Sequence, residues 1–268
     1  MIDKLKQRVK ELLANKTIGV FLGYEKGDNP KIARPALITL PEEIDRLIYD
    51  DSCIIMLSKY LLKPEVKAFG RRGILTSYSN LRAIAGLIQE KQVSKEDIYI
   101  IAIQNGEKIP TLYDEVIDAS GIKTQDTEGK TQDSIIADLM QKSPAERLAF
   151  WQKELSKCIK CYACRQICPL CYCTRCIADK NQPQWIPTSP HFAGSFMWNL
   201  TRAYHLSGRC IDCGECERAC PVGIPLMLLN KMIYNNIKTN FNYEAGFNPN
   251  VPPPLATYHQ DDKENFII

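Results

Sequence analysis

The chain has 268 residues, enough for one large or two small domains, and its 45% hydrophobic and 24% charged content is that of an ordinary folded protein rather than a disordered one. A net charge of +3 is too small for the electrostatic footprint of a nucleic-acid binder. No apolar run approaches the roughly 18 residues of a membrane span, and charges interrupt the apolar positions of the first ten residues, so neither a membrane span nor a signal peptide is expected and a cytoplasmic protein is.

In chain order, Ile2, Leu5, Val9, Leu12 and Leu13 recur at helical spacing and predict a first helix over 1–14. Residues 17–24 read as a short buried strand closed by the turn Gly27-Asp28-Asn29-Pro30. Helical periodicity over 42–62 predicts two helices broken near Asp50 and Asp51. Residues 72–78 read as a strand, 80–92 as a helix and 97–103 as a second strand that stops at Asn105-Gly106. Strand, helix and strand at this spacing form a βαβ unit, which implies a parallel pair with a right-handed crossover. The turn at 77–80 stands where open α/β sheets bind ligands, but it lacks a Gly-x-Gly-x-x-Gly fingerprint, so a dinucleotide is unsupported there. Residues 119–134 are polar and read as a loop. Ser143-Pro144-Ala145-Glu146 starts a helix running to Lys157, and a second helical stretch covers 194–206. Beyond Tyr234 the asparagine- and proline-rich composition predicts an extended tail. The expected organisation is therefore an α/β domain over 1–143, a mostly helical two-cluster domain over 144–234, and a tail over 235–268.

Eleven of the twelve cysteines fall between Cys158 and Cys220. Without a secretory signal, thiols at this density read as metal ligands rather than disulfides. One spacing occurs twice, Cys158-x2-Cys161-x2-Cys164-x3-Cys168-Pro169 and Cys210-x2-Cys213-x2-Cys216-x3-Cys220-Pro221, and it is the ligand run of a 4Fe-4S cubane. Three thiolates of one run reach three irons, and the fourth comes from the other run. Cluster I should take Cys158, Cys161, Cys164 and Cys220; cluster II should take Cys210, Cys213, Cys216 and Cys168. A tetrahedral zinc site leaves the third Cys of each run and the Cys-Pro unexplained. Ile159, Ile167, Ile211, Val222 and Ile224 are expected to wall off water. Lys157, Lys160 and Arg165 surround the first run, whereas Asp212, Glu215 and Glu217 outweigh Arg209 and Arg218 at the second, so cluster I is expected to have the higher potential. Cys171, Cys173, Cys176 and the distant Cys53 have the ligand count of a third cubane; zinc, a site completed by a partner, and plain buried thiols remain alternatives. His191, His205 and His259 have no partner at metal spacing, and no nucleophile or acid–base constellation is present, so no catalytic residue is assigned.

The 41 residues between Cys168 and Cys210, with their helical stretch, resemble the helical ferredoxin domains of fumarate reductase and heterodisulfide reductase iron–sulfur subunits. The βαβ stretch and the two cysteine runs together resemble anaerobic iron–sulfur proteins related to the beta subunits of formate dehydrogenases and deazaflavin-dependent hydrogenases. That resemblance implies an electron-transfer subunit working beside other subunits of an oxidoreductase complex, a flavoprotein or catalytic subunit among them. In such relatives cysteines often stand at the ends of the βαβ strands, where this chain has Ser79 and Asn105, so a flavin or cluster held there is unsupported here. Two other readings stay open, a reductase that holds flavin or binds substrate at the third cysteine group, and an assembly subunit with vestigial clusters.

Overall fold

The structure is a computed structural model that describes residues 1–104, 112–118, 128–180 and 182–256. Helix α1 (Ile2–Ala14) forms as its spacing predicts, with Leu5, Val9, Leu12 and Leu13 all buried. Strand β1 (Val20–Glu25) is buried at every position, the pattern of a strand covered on both faces. Strand β2 (Arg34–Ile38) pairs with it antiparallel, an element the sequence did not announce. Strands β3 (Arg72–Thr76), β4 (Ile98–Gln104) and β5 (Glu115–Asp118) add in parallel, giving the order β2-β1-β3-β4-β5. Helix α2 (Tyr78–Gln89) connects β3 to β4, so the expected βαβ unit is present. The 42–62 stretch departs from expectation: it holds two 3-10 turns, Pro41–Arg46 and Leu57–Leu62, in place of α-helices. Their buried Ile44, Leu47, Leu57 and Leu61 reach the same core as the sheet, so short turns satisfy the apolar spacing that a helix would otherwise need.

Part of the segment read as a loop over 119–134 is corrected as well. Helix α3 (Glu128–Gln141) begins within it and buries Ile136 and Leu139, while 119–127 lie outside the described residues, as does the Asn105-Gly106 stop. Helix α4 (Pro144–Leu155) starts with a complete capping box, the Ser143 hydroxyl accepting from the Glu146 N–H and the Glu146 carboxylate accepting from the Ser143 N–H. Short helix α5 (Ala163–Ile167), helix α6 (Phe192–His205), short helix α7 (Glu215–Arg218) and helix α8 (Leu226–Phe241) complete the cysteine-rich part. Helix α8 continues seven residues past Tyr234, so the tail starts later than its asparagines suggest; buried Ile237 carries the helix, which ends at Asn242 in the left-handed region.

One apolar core runs through both halves. Leu170, Leu206, Ile211, Ile237, Tyr243 and Ala245 pack in the same cluster as the sheet residues, and Gly86 of α2 leaves room for Leu170, whose Cδ2 lies 3.1 Å from where a Cβ would stand. A second cluster gathers Leu155, Ile186, Trp198, Ile224, Leu226 and Met227. The segment after α8 folds back over α2: the Arg82 guanidinium donates to the Ala245 carbonyl at 2.9 Å and stacks 4.5 Å from the Phe247 ring centroid.

Candidate metal centre

The two cysteine runs adopt the same backbone path. Lys160 and Tyr162 in the first, and Asp212 and Gly214 in the second, all have φ between 53° and 75° and stand at matching offsets from the leading cysteine. Alternation into the left-handed region turns successive N–H groups inward and makes a concave nest for an anion, a geometry that Fe–S sites use. Only Gly214 enters that region freely; Lys160, Tyr162 and Asp212 are held there against a cost on the order of 1 kcal/mol each. Each nest opens a short helix, α5 after Tyr162 and α7 after Gly214.

Packing brings Cys168 of the first run beside cysteines of the second. Cys168, Cys210, Cys213 and Cys216 line one narrow void of about 20 Å3, although Cys168 belongs to the first run. Cys158, Cys164 and Cys220 gather in the second core cluster with Trp198, Ile224 and Met227, while Cys161 is exposed beside them in sequence. Cys216 borders both groups. Ile211 and Ile224 are buried walls as expected; Ile159 instead is 54% exposed and turns outward at the mouth of the first run. Sulfur acceptors already receive N–H groups, from Lys160 to Cys158, Ile224 to Cys220 and the Asn230 amide to Cys216, each at 3.4 Å. Four thiolates per set, inward N–H nests and apolar walls fit the donor requirements of cubanes.

Burial pushes the Cys164 and Cys210 thiols up to about 12 and the Cys216 thiol to about 11, so they hold their protons until a metal displaces them. The neighbouring Cys168 and Cys171 thiols titrate as a pair, sharing a proton so that Cys168 ionises more readily and Cys171 less. The charged residue that sequence reasoning missed is Arg202 of α6. It is 6% exposed, donates from Nη2 to the Cys164 carbonyl at 2.9 Å, and leaves its buried Nε without a partner. The thiols of Cys168, Cys216, Cys171 and Cys164 surround it and raise its pKa despite burial. A cation on the apolar face that α6 shares with Trp198 and Ala203 was the available signal. Lys59 reaches across from the α/β half and donates to the Cys171 carbonyl at 2.7 Å. The charge contrast expected between the two runs is softened by pairing, Asp212 with Lys231 at 2.7 Å and Lys157 with Glu154 at 2.6 Å.

Cys171, Cys173 and Cys176 share a larger cavity of about 340 Å3 with Arg202 and His205. Cys53 is not brought into it. That thiol sits on its own loop beside Tyr24 and Tyr49, accepts from the Asp50 N–H at 3.4 Å, and is pushed up to about 11 by burial. Among the described residues, no three His, Cys, Asp or Glu side chains converge on a point as the ligands of a single ion would. In the turn at 77–80 the Asn80 side-chain amide donates to the Ser77 hydroxyl at 3.3 Å while its Oδ1 accepts from the Ser58 N–H at 3.0 Å, and Ser79 lies in the first turn of α2. Among the described residues no helix is long and apolar enough to cross a membrane.

The second run matches the family of 4Fe-4S binding domains over residues 204–225. The chain's relatives are more particular. The F420-dependent formate dehydrogenase subunit beta of Methanocaldococcus jannaschii is 37% identical over 106 residues, 38% of this chain and 27% of the relative. The F420-dependent formate dehydrogenase 1 subunit beta of Methanococcus maripaludis is 35% identical over 108 residues, 40% of this chain and again 27% of the relative. The chain thus matches about a quarter of the length of these curated relatives, and the resemblance to iron–sulfur beta subunits drawn from the cysteine runs is borne out.

Proposed function

We propose that this chain is an electron-transfer subunit of an anaerobic oxidoreductase complex, carrying two 4Fe-4S clusters ligated crosswise. Cluster I takes Cys158, Cys161, Cys164 and Cys220; cluster II takes Cys210, Cys213, Cys216 and Cys168. The observation that carries the reading is the convergence of Cys168 with Cys210, Cys213 and Cys216 on one void, across 41 intervening residues. When bound, the cubanes supply one-electron steps at low potential. The chain's own residues set the conditions for those steps. The nests at 160–162 and 212–214 aim N–H donors at the anionic sulfurs, and Asn230 adds another at Cys216. Arg202 supplies positive charge beside both ligand sets. Ile211, Ile224 and Trp198 exclude water, which limits the reorganisation that accompanies each charge change. Exposed Cys161 and outward Ile159 make the cluster I end the one open to a partner, whereas cluster II faces the core shared with the sheet.

The formate dehydrogenase relatives suggest that this partner is another subunit of a complex, holding flavin or a catalytic centre, on the cytoplasmic side. Full ligation of both cubanes leaves no open iron in either, so catalysis belongs to the partner. Iron and sulfide analysis with EPR on anaerobically purified protein tests the reading. The expected result is at least about eight irons and eight sulfides per chain, four per cubane, with two interacting reduced signals. A colourless protein without inorganic sulfide refutes it.

A further inference from the structure

We infer that Cys171, Cys173, Cys176 and His205 are the donor set of a third iron–sulfur cubane, next to cluster II. The inference deepens the electron-transfer reading and rests on it. The three thiols and the imidazole line one cavity of about 340 Å3, although His205 is 29 residues beyond Cys176 and arrives on the last turn of α6. Three thiols spaced as Cys-x-Cys-x2-Cys reach three corners of a cube, and the fourth iron needs a donor from elsewhere in the chain. Cys53, the only cysteine outside the region of the runs, is held on its own loop by Asp50 and faces Tyr24 and Tyr49, outside that cavity. His205 fills the gap.

Size and charge point to a cluster. A zinc ion draws four donors to within roughly 2.0–2.3 Å of one point, whereas these four border a space large enough for an eight-atom core. Arg165 and Arg202 line the same cavity, as does Arg209, whose charge is paired with Glu90 at 2.7 Å. The buried Nε of Arg202 has no protein partner, so it is Arg202 above all that brings positive charge to the wall where an anionic iron–thiolate core would lie. Cys171 and Cys168 are immediate neighbours whose thiols influence each other's titration, which puts this donor set beside the cluster II ligands and a third redox centre within reach of the second.

The test uses the full chain, purified anaerobically, with iron, sulfide and zinc measured beside EPR spectra before and after ferricyanide. The parent protein is expected to hold about twelve irons. C173S should fall to about eight, and C53S should stay near twelve. H205A should keep its colour but leave one iron without a protein donor; ferricyanide then takes one electron, ferrous iron leaves, and a [3Fe-4S] signal appears. H205C should suppress that signal. Eight irons in the parent, with or without one zinc, overturns the inference while leaving the two-cluster reading intact. Loss of four irons in C53S, or equal [3Fe-4S] signals in H205A and the parent, overturns it too. A protein devoid of sulfide sinks the two-cluster reading along with it.

Discussion

Replacing Arg202 by glutamine removes a buried unit charge from between two sets of cluster ligands. The side chain is 6% exposed and lies close to the thiols of Cys168, Cys216, Cys171 and Cys164. At roughly 7 Å and an effective dielectric of about 20, one charge acts on another with about 2.4 kcal/mol. For a one-electron couple, where about 1.4 kcal/mol corresponds to 59 mV, that is on the order of 100 mV. Reduction adds negative charge, which the guanidinium stabilises, so R202Q should lower both midpoints, and R202K, which keeps the charge, should move them by less than about a third of that. The assay is an EPR-monitored redox titration of anaerobic protein whose iron content equals the parent's. Midpoints that stay within about 20 mV of the parent, or that rise, would show that Arg202 does not compensate the cluster charge.

Three further outcomes follow from named contacts. Cys168→Ser should abolish the EPR signal assigned through Cys213→Ser and leave the one assigned through Cys161→Ser; loss of the first-run signal instead would mean that each run ligates its own cluster. Gly246 has φ +81° and lies against the Arg82 backbone carbonyl, so Gly246→Ala should loosen the returning segment and cost on the order of 1–3 kcal/mol in urea unfolding, with a change below about 0.5 kcal/mol counting against that packing. Hydrogen bonds from Arg46 at 2.7 Å and Arg34 at 2.8 Å hold the Glu25 carboxyl below its ordinary 4.5. That stabilisation is full above the ordinary value and disappears as pH falls through the lower folded-state one. Glu25→Gln should therefore destabilise by under about 1 kcal/mol at pH 7, since both arginines are well solvated, and the two unfolding midpoints should meet in strong acid. Midpoints that differ equally at pH 7 and pH 3 would contradict it.

The parallel strands were legible because burial on both faces demands continuous apolar runs, as at Ile98-Tyr99-Ile100-Ile101. Strand β2 was not, since an edge strand tolerates Pro35 and alternates buried with exposed positions over only five residues. The 3-10 turns around Ile44 and Leu57 imitate helical spacing because any element buried at every third or fourth residue does. Helix α8 outran its asparagines because tertiary burial of Ile237 outweighs their poor helix propensity. At the site, cysteine spacing alone led to the proposed grouping of Cys168 with the second run, and the void they share is consistent with it. The left-handed Lys160, Tyr162 and Asp212 were invisible because none is glycine, and His205 gave no sign because its companions lie 29 or more residues away in sequence. Arg202 did leave a signal, a single cation on an apolar helical face, but that pattern also resembles a solvated edge.

The unequal depth of the two ligand sets has a bearing on how the holoprotein is made and unmade. Cys210 and Cys213 are knitted into the interior that also seats the strands, while Cys161 meets solvent. On the two-cluster proposal, delivery of the inner cage would accompany maturation of the α/β half, whereas the outer cage could be loaded, or stripped by dioxygen, on an already finished protein.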